Sequence, residues 1–301
     1  MNPVELKRLY AEVVKPSDPL MNQIFWLDAV SSGDWGVRVV TMNHADYLIP
    51  ITETRYWWGR KASMPPWTDY LKPLKVNFHL IPGRSKMRIM EFYQYPMVYS
   101  AGWPHGFSAE EKSTFILASN NTSSNLLAGC SKSYRKTFRR HHSRFELVKL
   151  SSPLAIQDLI RMQIFVDSER SFAQLLKLCE VLLKQGQGDL YGLRERSTRQ
   201  LRAFQLVGKD TERYYLICGG QNRDQLSRVV MPILYIKVLS QLIQTDRIID
   251  FCGSDFAGVQ AVFKALGAVQ QPFYRFYKVE PALFWWGVQR LRKHYKMNHG
   301  R

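Results

Sequence analysis

The sequence predicts a mixed α/β fold in which helices cover a sheet, and three observations support this. After residue 150 the pattern runs helix, helix, strand, strand, helix, strand, helix, strand. Residues 250–268, DFCGSDFAGVQAVFKALGA, have the pattern of a strand end, a tight turn and a helix that stops at Gly267. The apolar fraction of 46%, which includes 8 Trp, 15 Tyr and 16 Phe, is large enough to build a core and excludes a disordered chain.

The first part of the chain predicts a helix over residues 4–14 and strands over 37–42 and 87–92. Ser108, with Glu111 three residues later, resembles a capping box and predicts the start of a helix. Between residues 55 and 74 the stretch RYWWGRKASMPPWTDYLKPL carries three prolines, which favour an ordered loop.

The pattern restarts after residue 150, which predicts two halves, 1–150 and 151–301. The second half predicts helices over about 153–165 and 169–185 and a hairpin around KDTE. It also predicts a long apolar helix, VVMPILYIKVLSQLIQ, a short strand, RIIDF, and a final strand, PFYRFYKV.

Charge is the strongest compositional signal. The chain has 42 Lys and Arg against 25 Asp and Glu, a net charge of +17, which favours polyanionic partners. Seven of the basic residues fall in residues 131–150, SKSYRKTFRRHHSRFELVKL. A helix here places Arg135, Arg139 and His142 along one face. Two interpretations stay open: a solvated basic helix, or a clamp for a phosphate-bearing ligand or nucleic-acid backbone.

The four cysteines, at 130, 179, 218 and 252, are far apart and indicate buried, reduced thiols. The seven histidines show no metal-ligand spacing, so no metal site is expected. The first residues lack the apolar core of a signal peptide, and no run of about 18 apolar residues occurs. We therefore expect a cytoplasmic protein without a transmembrane segment.

The turn at 252–255 is the most informative local feature. Gly253 permits a tight turn, and Ser254 or Asp255 can cap the helix that follows. The apolar residues of this helix share one face, so we expect the helix to pack on the sheet; they are Phe256, Val259, Val262, Phe263 and Leu266. A helix N-terminus can bind an anion, but Asp255 lies where that anion would sit.

The stretch DFCGSDFAGVQAVFKALGAVQQPFYRF resembles the C-terminal signature of Fem-type aminoacyl transferases and of related acetyltransferase-like proteins of the GNAT superfamily. Phe263 and Lys264 match the Phe-Lys pair of that signature. MPPWTDYLKPL resembles the Pro-rich loop of the first half of such proteins, and residues 131–150 resemble their basic helix and following strand. The resemblance extends over most of residues 24–280.

The resemblance implies tandem GNAT-like halves that face a central cleft. It also implies N-acyl transfer to an amine acceptor, with acyl-CoA or aminoacyl-tRNA as co-substrate and no tightly bound cofactor. The acceptor implied by the Fem-type enzymes is a cell-envelope (peptidoglycan) precursor, a sugar or a peptide. The pyrophosphate loop of simple acyl-CoA enzymes is missing, since GGQNRDQLSR at that position does not match it.

Lys264 and Asp250 are the catalytic candidates. Lys264 matches the family motif and would stabilise the negative carbonyl oxygen, although its helix position also suits a solvent-exposed lysine. Asp250 would act as base or orienter, or it merely caps a strand end. Around them we assign substrate contact to Phe263, Ser254 and Tyr274, and for Tyr274 packing in the sheet is the alternative.

Further substrate contacts are assigned to Trp67 and Tyr70 in the Pro-rich loop, and to Arg135 and Arg139. The loop aromatics either stack on a substrate ring or anchor the loop by packing. The basic tail, residues 283–301, either touches an anionic membrane or packs back on the protein. The expected partner is a phosphate-bearing substrate, with tRNA as a candidate. A different class of function also stays open: a non-catalytic GNAT-fold protein that binds RNA or an anionic membrane.

Overall fold

The computed structural model describes residues 1–56, 59–76, 87–94, 104, 106–117, 123–161, 163, 166, 168–222, 224, 226–253 and 256–279. The helices in these residues are α1 (Pro3–Val13), α2 (Ile24–Ser31), α3 (Ser123–Gly129), α4 (Lys132–His141), α5 (Gln157–Arg161), α6 (Glu169–Lys184), α7 (Ser227–Leu242) and α8 (Ala257–Ala265). The strands are β1 (Gly36–Met42), β2 (Ala45–Tyr56), β3 (Gly59–Ser63), β4 (Leu74–Lys75), β5 (Met87–Gln94), β6 (Ser108–Leu117), β7 (Phe145–Leu150), β8 (Gly188–Glu195), β9 (Leu201–Lys209), β10 (Arg213–Gln221), β11 (Ile248–Asp250) and β12 (Val269–Val279).

The chain divides into two compact units. Unit 1 comprises Met1–Val14, Asp34–Glu111 and Phe273–Arg301, and unit 2 comprises Lys15–Gly33 and Lys112–Pro272. Residue 150, where the sequence suggested a division, ends β7 and lies inside unit 2. The proposal that the chain consists of two halves of similar build stays a prediction.

Unit 1 is built on an antiparallel β1–β2–β3 meander. Beyond the meander, β3 pairs with β5 in parallel, β5 pairs with β12 antiparallel, and β4 pairs with β2. Helix α1 begins with a capping box between Asn2 and Glu5 and buries Leu6 and Tyr10. The ring of Tyr10 meets Trp35 edge-on at 5.6 Å, which fixes the helix against the start of β1.

Unit 2 contains a sheet in the order β6–β11–β10–β9–β8–β7. Its strand pairs are antiparallel except β10 and β11, which run parallel with α7 as the connection between them. One face carries the apolar residues of α7, and Ile233, Leu234 and Ile236 are fully buried there. Helix α6, capped by Ser168, buries Leu175, Leu178 and Leu182.

Most of the predicted elements are confirmed, and so is the mixed α/β fold class. The predicted helix at Ser108 is wrong, because this stretch forms β6. Ile116 and Leu117 of β6 pair with β11, and Phe115 is buried, so sheet packing outweighs the local capping pattern. The loop predicted for residues 55–74 is wrong at its start, where residues 59–63 form β3.

Candidate functional site

A buried ion pair lies at the end of β11. The Asp250 carboxylate is completely buried; Oδ2 accepts a hydrogen bond from Nη1 of Arg213 at 2.8 Å. Oδ1 accepts from the Thr114 hydroxyl at 2.8 Å and from the backbone N–H of Cys252 at 3.0 Å. Both oxygens thus have partners within unit 2, and the contacts join β6, β10 and the turn after β11. This arrangement makes Asp250 an anchor for the turn.

The turn itself holds a left-handed residue. Cys252 has a φ of 59°, a conformation that side chains other than glycine adopt rarely and at a cost of about 1–3 kcal/mol. The hydrogen bond from its N–H to Asp250 supports this conformation. Ser254 and Asp255, the predicted substrate contact and the alternative cap, lie outside the described residues.

Helix α8 packs through its second half only. Phe263 is buried, with its ring 4.8 Å from Phe251 and 5.7 Å from Phe115, and Leu266 is fully buried. The predicted apolar face is wrong at the start of the helix, where Phe256 is 73% exposed. The aromatic residues that pack against α8, Phe115 of β6 and Phe251 after β11, contact Phe263 in its later part. Phe263 lies in the core as part of this packing.

Lys264 is exposed in the last turn of α8, as its helix position predicted. Its Nζ lies 5.8 Å from the centre of the Phe115 ring. Residue 115 follows Thr114, which bonds to Asp250, so Lys264, Phe263 and Asp250 lie around one short stretch of β6. Helix α8 ends at Gly267, which has a φ of 86°, as predicted.

Strands β10 and β11 diverge after Asp250, the last residue of β11. Their register covers only Arg213–Tyr215 on β10, and a bulge follows between Leu216 and Cys218. From Leu216 onward, the described residues give β10 a strand partner on the β9 side only. Backbone groups on an unpaired strand edge can bond to an extended ligand. The divergence therefore offers a place for a substrate next to the Asp250 turn.

The two predicted site residues of the basic helix α4, Arg135 and Arg139, have different environments. Nη1 of Arg135 donates to the carbonyl oxygens of Ala128 at 2.8 Å and Cys130 at 2.6 Å. These carbonyls end α3, so Arg135 caps a helix C-terminus. Arg139, one turn further on, is exposed in the last turn of α4. Of the two arginines predicted to bind a phosphate, Arg139 is therefore the exposed one, and its contact with a phosphate stays a prediction.

We expect Arg139→Ala to leave stability unchanged and to weaken binding of unfractionated tRNA, with the slope of log Kd against log salt falling by about one. Arg135→Ala should instead lower the free energy of unfolding by about 1.5–3 kcal/mol, because charged hydrogen bonds to two carbonyls disappear. Filter binding at several salt concentrations and urea unfolding measure the two effects. An unchanged salt slope in Arg139→Ala would mean that α4 is only a solvated surface.

A second charged network lies on β8 and β9. The buried Glu195 carboxylate accepts from Arg202 at 2.5 Å, from Arg144 at 2.7 Å and from Thr198 at 3.1 Å. The hydrogen bonds from Arg202 are the main cause that lowers the pKa of Glu195 to about 2. Arg202 also pairs with Asp224 at 3.0 Å. The network fixes the residues that follow α4 to the sheet.

Three predicted site residues belong to unit 1. Tyr70 is 1% exposed and meets Phe273 edge-on at 5.5 Å, so it anchors the Pro-rich loop by packing. Trp67 is half-buried in the same loop with a φ of 57°. Tyr274 is half-buried on β12, opposite Gln94 of β5. That Trp67 and Tyr274 contact substrate stays a prediction.

Sequence reasoning missed Arg213 and Thr114, the two side chains that hold Asp250. They lie 37 and 136 residues from it, and no local pattern links them. An arginine at the start of an otherwise apolar strand, RYYLICGG, was the available signal for Arg213.

Comparison with known proteins places the fold. FemX superposes with a TM-score of 0.62 at 10% identity, over 89% of this chain and 95% of FemX. A domain described as the C-terminal part of a lysylphosphatidylglycerol synthetase from Agrobacterium fabrum gives 0.54 at 12% identity, over 91% and 92%. L-PGS from Bacillus licheniformis gives 0.54 at 10%, over 97% and 96%. The chain therefore has a fold like that of FemX, as the sequence resemblance implied.

No protein-family model and no curated protein sequence matches the chain. Within the described residues, no helix reaches the length and apolarity needed to cross a bilayer.

Proposed function

We propose that this protein transfers an acyl or aminoacyl group to an amine acceptor, such as a sugar or peptide precursor of the cell envelope. The observation that carries the proposal is the likeness of nearly the whole chain to FemX and to the Agrobacterium synthetase domain. The name of that synthetase describes a product in which a lysyl group is joined to a lipid. Aminoacyl transfer is therefore the chemistry that the proposal brings to this chain.

This reaction requires little covalent catalysis by the protein. The acceptor ammonium loses a proton to water, and the amine nitrogen attacks the donor carbonyl carbon. The nitrogen then loses a second proton, the bond to the leaving group breaks, and the CoA sulfur or the tRNA ribose oxygen departs with a proton. Negative charge grows on the carbonyl oxygen during attack, and the Lys264 ammonium stabilises it. Lys264 suits this role because its side chain is exposed, with Nζ 5.8 Å from the centre of the Phe115 ring.

The N-terminus of α7 is informative about where the phosphate groups of the donor bind. The N–H of Leu226, the residue just before α7, donates to Oδ1 of Asp224 at 2.8 Å, while Oδ2 of Asp224 pairs with Arg202 at 3.0 Å. An internal carboxylate thus lies next to the N-terminus of α7, where its charge disfavours a bound phosphate. This supports a donor whose phosphate groups bind elsewhere, and it agrees with the missing pyrophosphate loop.

The alternative function is non-catalytic binding of RNA or an anionic membrane. It is favoured by the exposed cations of α4, among them Arg139 and Arg140, and by the net charge of +17. A protein of this kind would bind polyanions and form no new covalent product.

The experiment that tests the proposal incubates the protein with acyl-CoA species or aminoacyl-tRNA and with amino-sugar or peptide acceptors. Mass spectrometry should detect an amide product, and thermal shift should show which donor stabilises the folded protein. Binding of tRNA or anionic vesicles with no product from any donor and acceptor pair would favour the alternative.

A further inference from the structure

A segment near the start of the chain, Lys15–Gly33, belongs to unit 2, although the residues on both sides of it belong to unit 1. We call this segment the strap. Its two ends, residues 15–17 and 32–33, are exposed. Its middle is fully or almost fully buried, and the buried residues are Leu20, Met21, Asn22, Trp26, Leu27 and Val30. The strap is therefore part of the core of unit 2.

The strap packs on the face of the sheet that carries Asp250. A Cβ on Gly208 of β9 would come within 2.4 Å of Cδ2 of Leu20, so Leu20 lies directly on this glycine. Gly208 is the register partner of Tyr215 on β10, and Tyr215 is the register partner of Asp250 on β11. Residues that are opposite one another on neighbouring strands point to the same face. Leu20 thus covers one end of a row that ends at Asp250.

Asp210, in the turn between β9 and β10, links the strap to the ion pair of Asp250. Its Oδ2 accepts a hydrogen bond from the N–H of Leu20 at 3.1 Å and from the Tyr215 hydroxyl at 2.7 Å. Its Oδ1 accepts from the N–H of Arg213 at 2.8 Å. Nη1 of Arg213 is the donor that pairs with Asp250. One carboxylate thus binds the strap with one oxygen and the partner of Asp250 with the other.

The position of Arg213 matters because its ion pair with Asp250 is almost completely buried. Attraction in a buried pair compensates for the lost hydration only when the geometry is well held. Asp250 in turn accepts the N–H of Cys252, the left-handed residue of the turn that leads into α8. A looser Arg213 would therefore loosen this turn.

We propose that docking of the strap on unit 2 holds the Asp250 turn in place, with Asp210 as the positioning residue that connects the two. Both ends of the strap continue into elements of unit 1, α1 before it and β1 after it. The effect of the strap on acyl transfer, through Lys264 of α8, rests on the proposed function. The coupling between strap and turn does not.

Hydrogen–deuterium exchange of Asp210→Asn in the full-length chain gives the first test. The carboxamide oxygen can still accept from the N–H of Arg213, while the nitrogen replaces Oδ2 and leaves the N–H of Leu20 without its acceptor. The N–H of Cys252, which donates to Asp250, should then exchange about 10- to 100-fold faster than in the wild type. Unchanged exchange at Cys252 would overturn the proposal.

The matched control is Glu195→Gln, which replaces another carboxylate of unit 2 by a carboxamide. The hydrogen bonds of Glu195 go to Arg202, Arg144 and Thr198. Exchange at Cys252 should therefore stay near its wild-type rate. A control variant that speeds this exchange as much as Asp210→Asn does would indicate a general loss of stability and contradict the strap.

The reverse direction gives a second test, because coupling between two sites is reciprocal. Thr114→Val removes the hydroxyl that donates to Asp250 and keeps the shape of the side chain. The N–H of Leu20 should exchange up to about tenfold faster in this variant. The double variant Asp210→Asn/Thr114→Val should lose less stability than the two single variants together. Strictly additive losses would show that strap and turn are independent.

Turnover gives a third readout. Asp210→Asn should lower kcat by about 10- to 100-fold with KM unchanged, because Lys264 is displaced from the reacting carbonyl; a wild-type kcat would contradict the positioning role. The two proposals fail separately. Coupled exchange without any transfer product would remove the proposed function and leave the strap. Transfer by a protein in which Asp210→Asn does not change exchange at Cys252 would remove the strap and leave the function.

Discussion

Asp250→Asn is expected to lower the free energy of unfolding by about 3–5 kcal/mol. The substitution leaves the guanidinium of Arg213 charged and almost fully buried without its counter-charge. It also weakens the turn, since Asp250 accepts the bonds from Thr114 and from the Cys252 N–H. Urea unfolding, with the slope m held as a check on two-state behaviour, measures the loss.

The matched double variant Arg213→Met/Asp250→Asn removes both charges and keeps an Oδ1 acceptor for Thr114 and the Cys252 N–H. It should recover most of that stability, because no buried charge is left without its partner. The two experiments also separate an anchor from a catalytic base. An Asp250→Asn protein as stable as the wild type but unable to transfer an acyl group would assign Asp250 to the chemistry and contradict the anchor.

The fold was predictable where local patterns and tertiary packing agree. The helix that became α8, its stop at Gly267 and the apolar strand β11 all follow from residues within a short window. Where the local pattern and the tertiary packing disagree, the packing determines the secondary structure. The stretch from Ser108 carries a capping pattern, yet it forms β6 because Phe115 and Leu117 are buried in the sheet of unit 2.

The candidate site was predictable only in part, for a related reason. Lys264 and Asp250 stand in a recognisable motif, so a single sequence singles them out. The partners that define what Asp250 does lie on distant strands, and the capping role of Arg135 depends on where α3 ends.

Lys264→Ala is expected to lower turnover by about 100- to 1,000-fold, the loss that follows removal of one donor to a developing oxyanion. The melting temperature should change little, because Lys264 is exposed and its contact with the Phe115 ring, at 5.8 Å, is at the outer limit of a cation–π interaction. The substitution therefore separates chemistry from folding more cleanly than any change at Asp250. Turnover of the amide product, with melting followed in parallel, measures both.

Two further variants sharpen this result. Lys264→Arg should restore activity only in part, since the planar guanidinium carries its charge at a different position from the ammonium. Lys184→Ala, which removes an exposed lysine from the last turn of α6 and the same net charge, should keep wild-type turnover if the effect is local to α8. Equal losses in Lys184→Ala and Lys264→Ala would indicate long-range attraction of a polyanionic substrate. Wild-type turnover in a folded Lys264→Ala protein would place the chemistry elsewhere and leave α8 with a structural role.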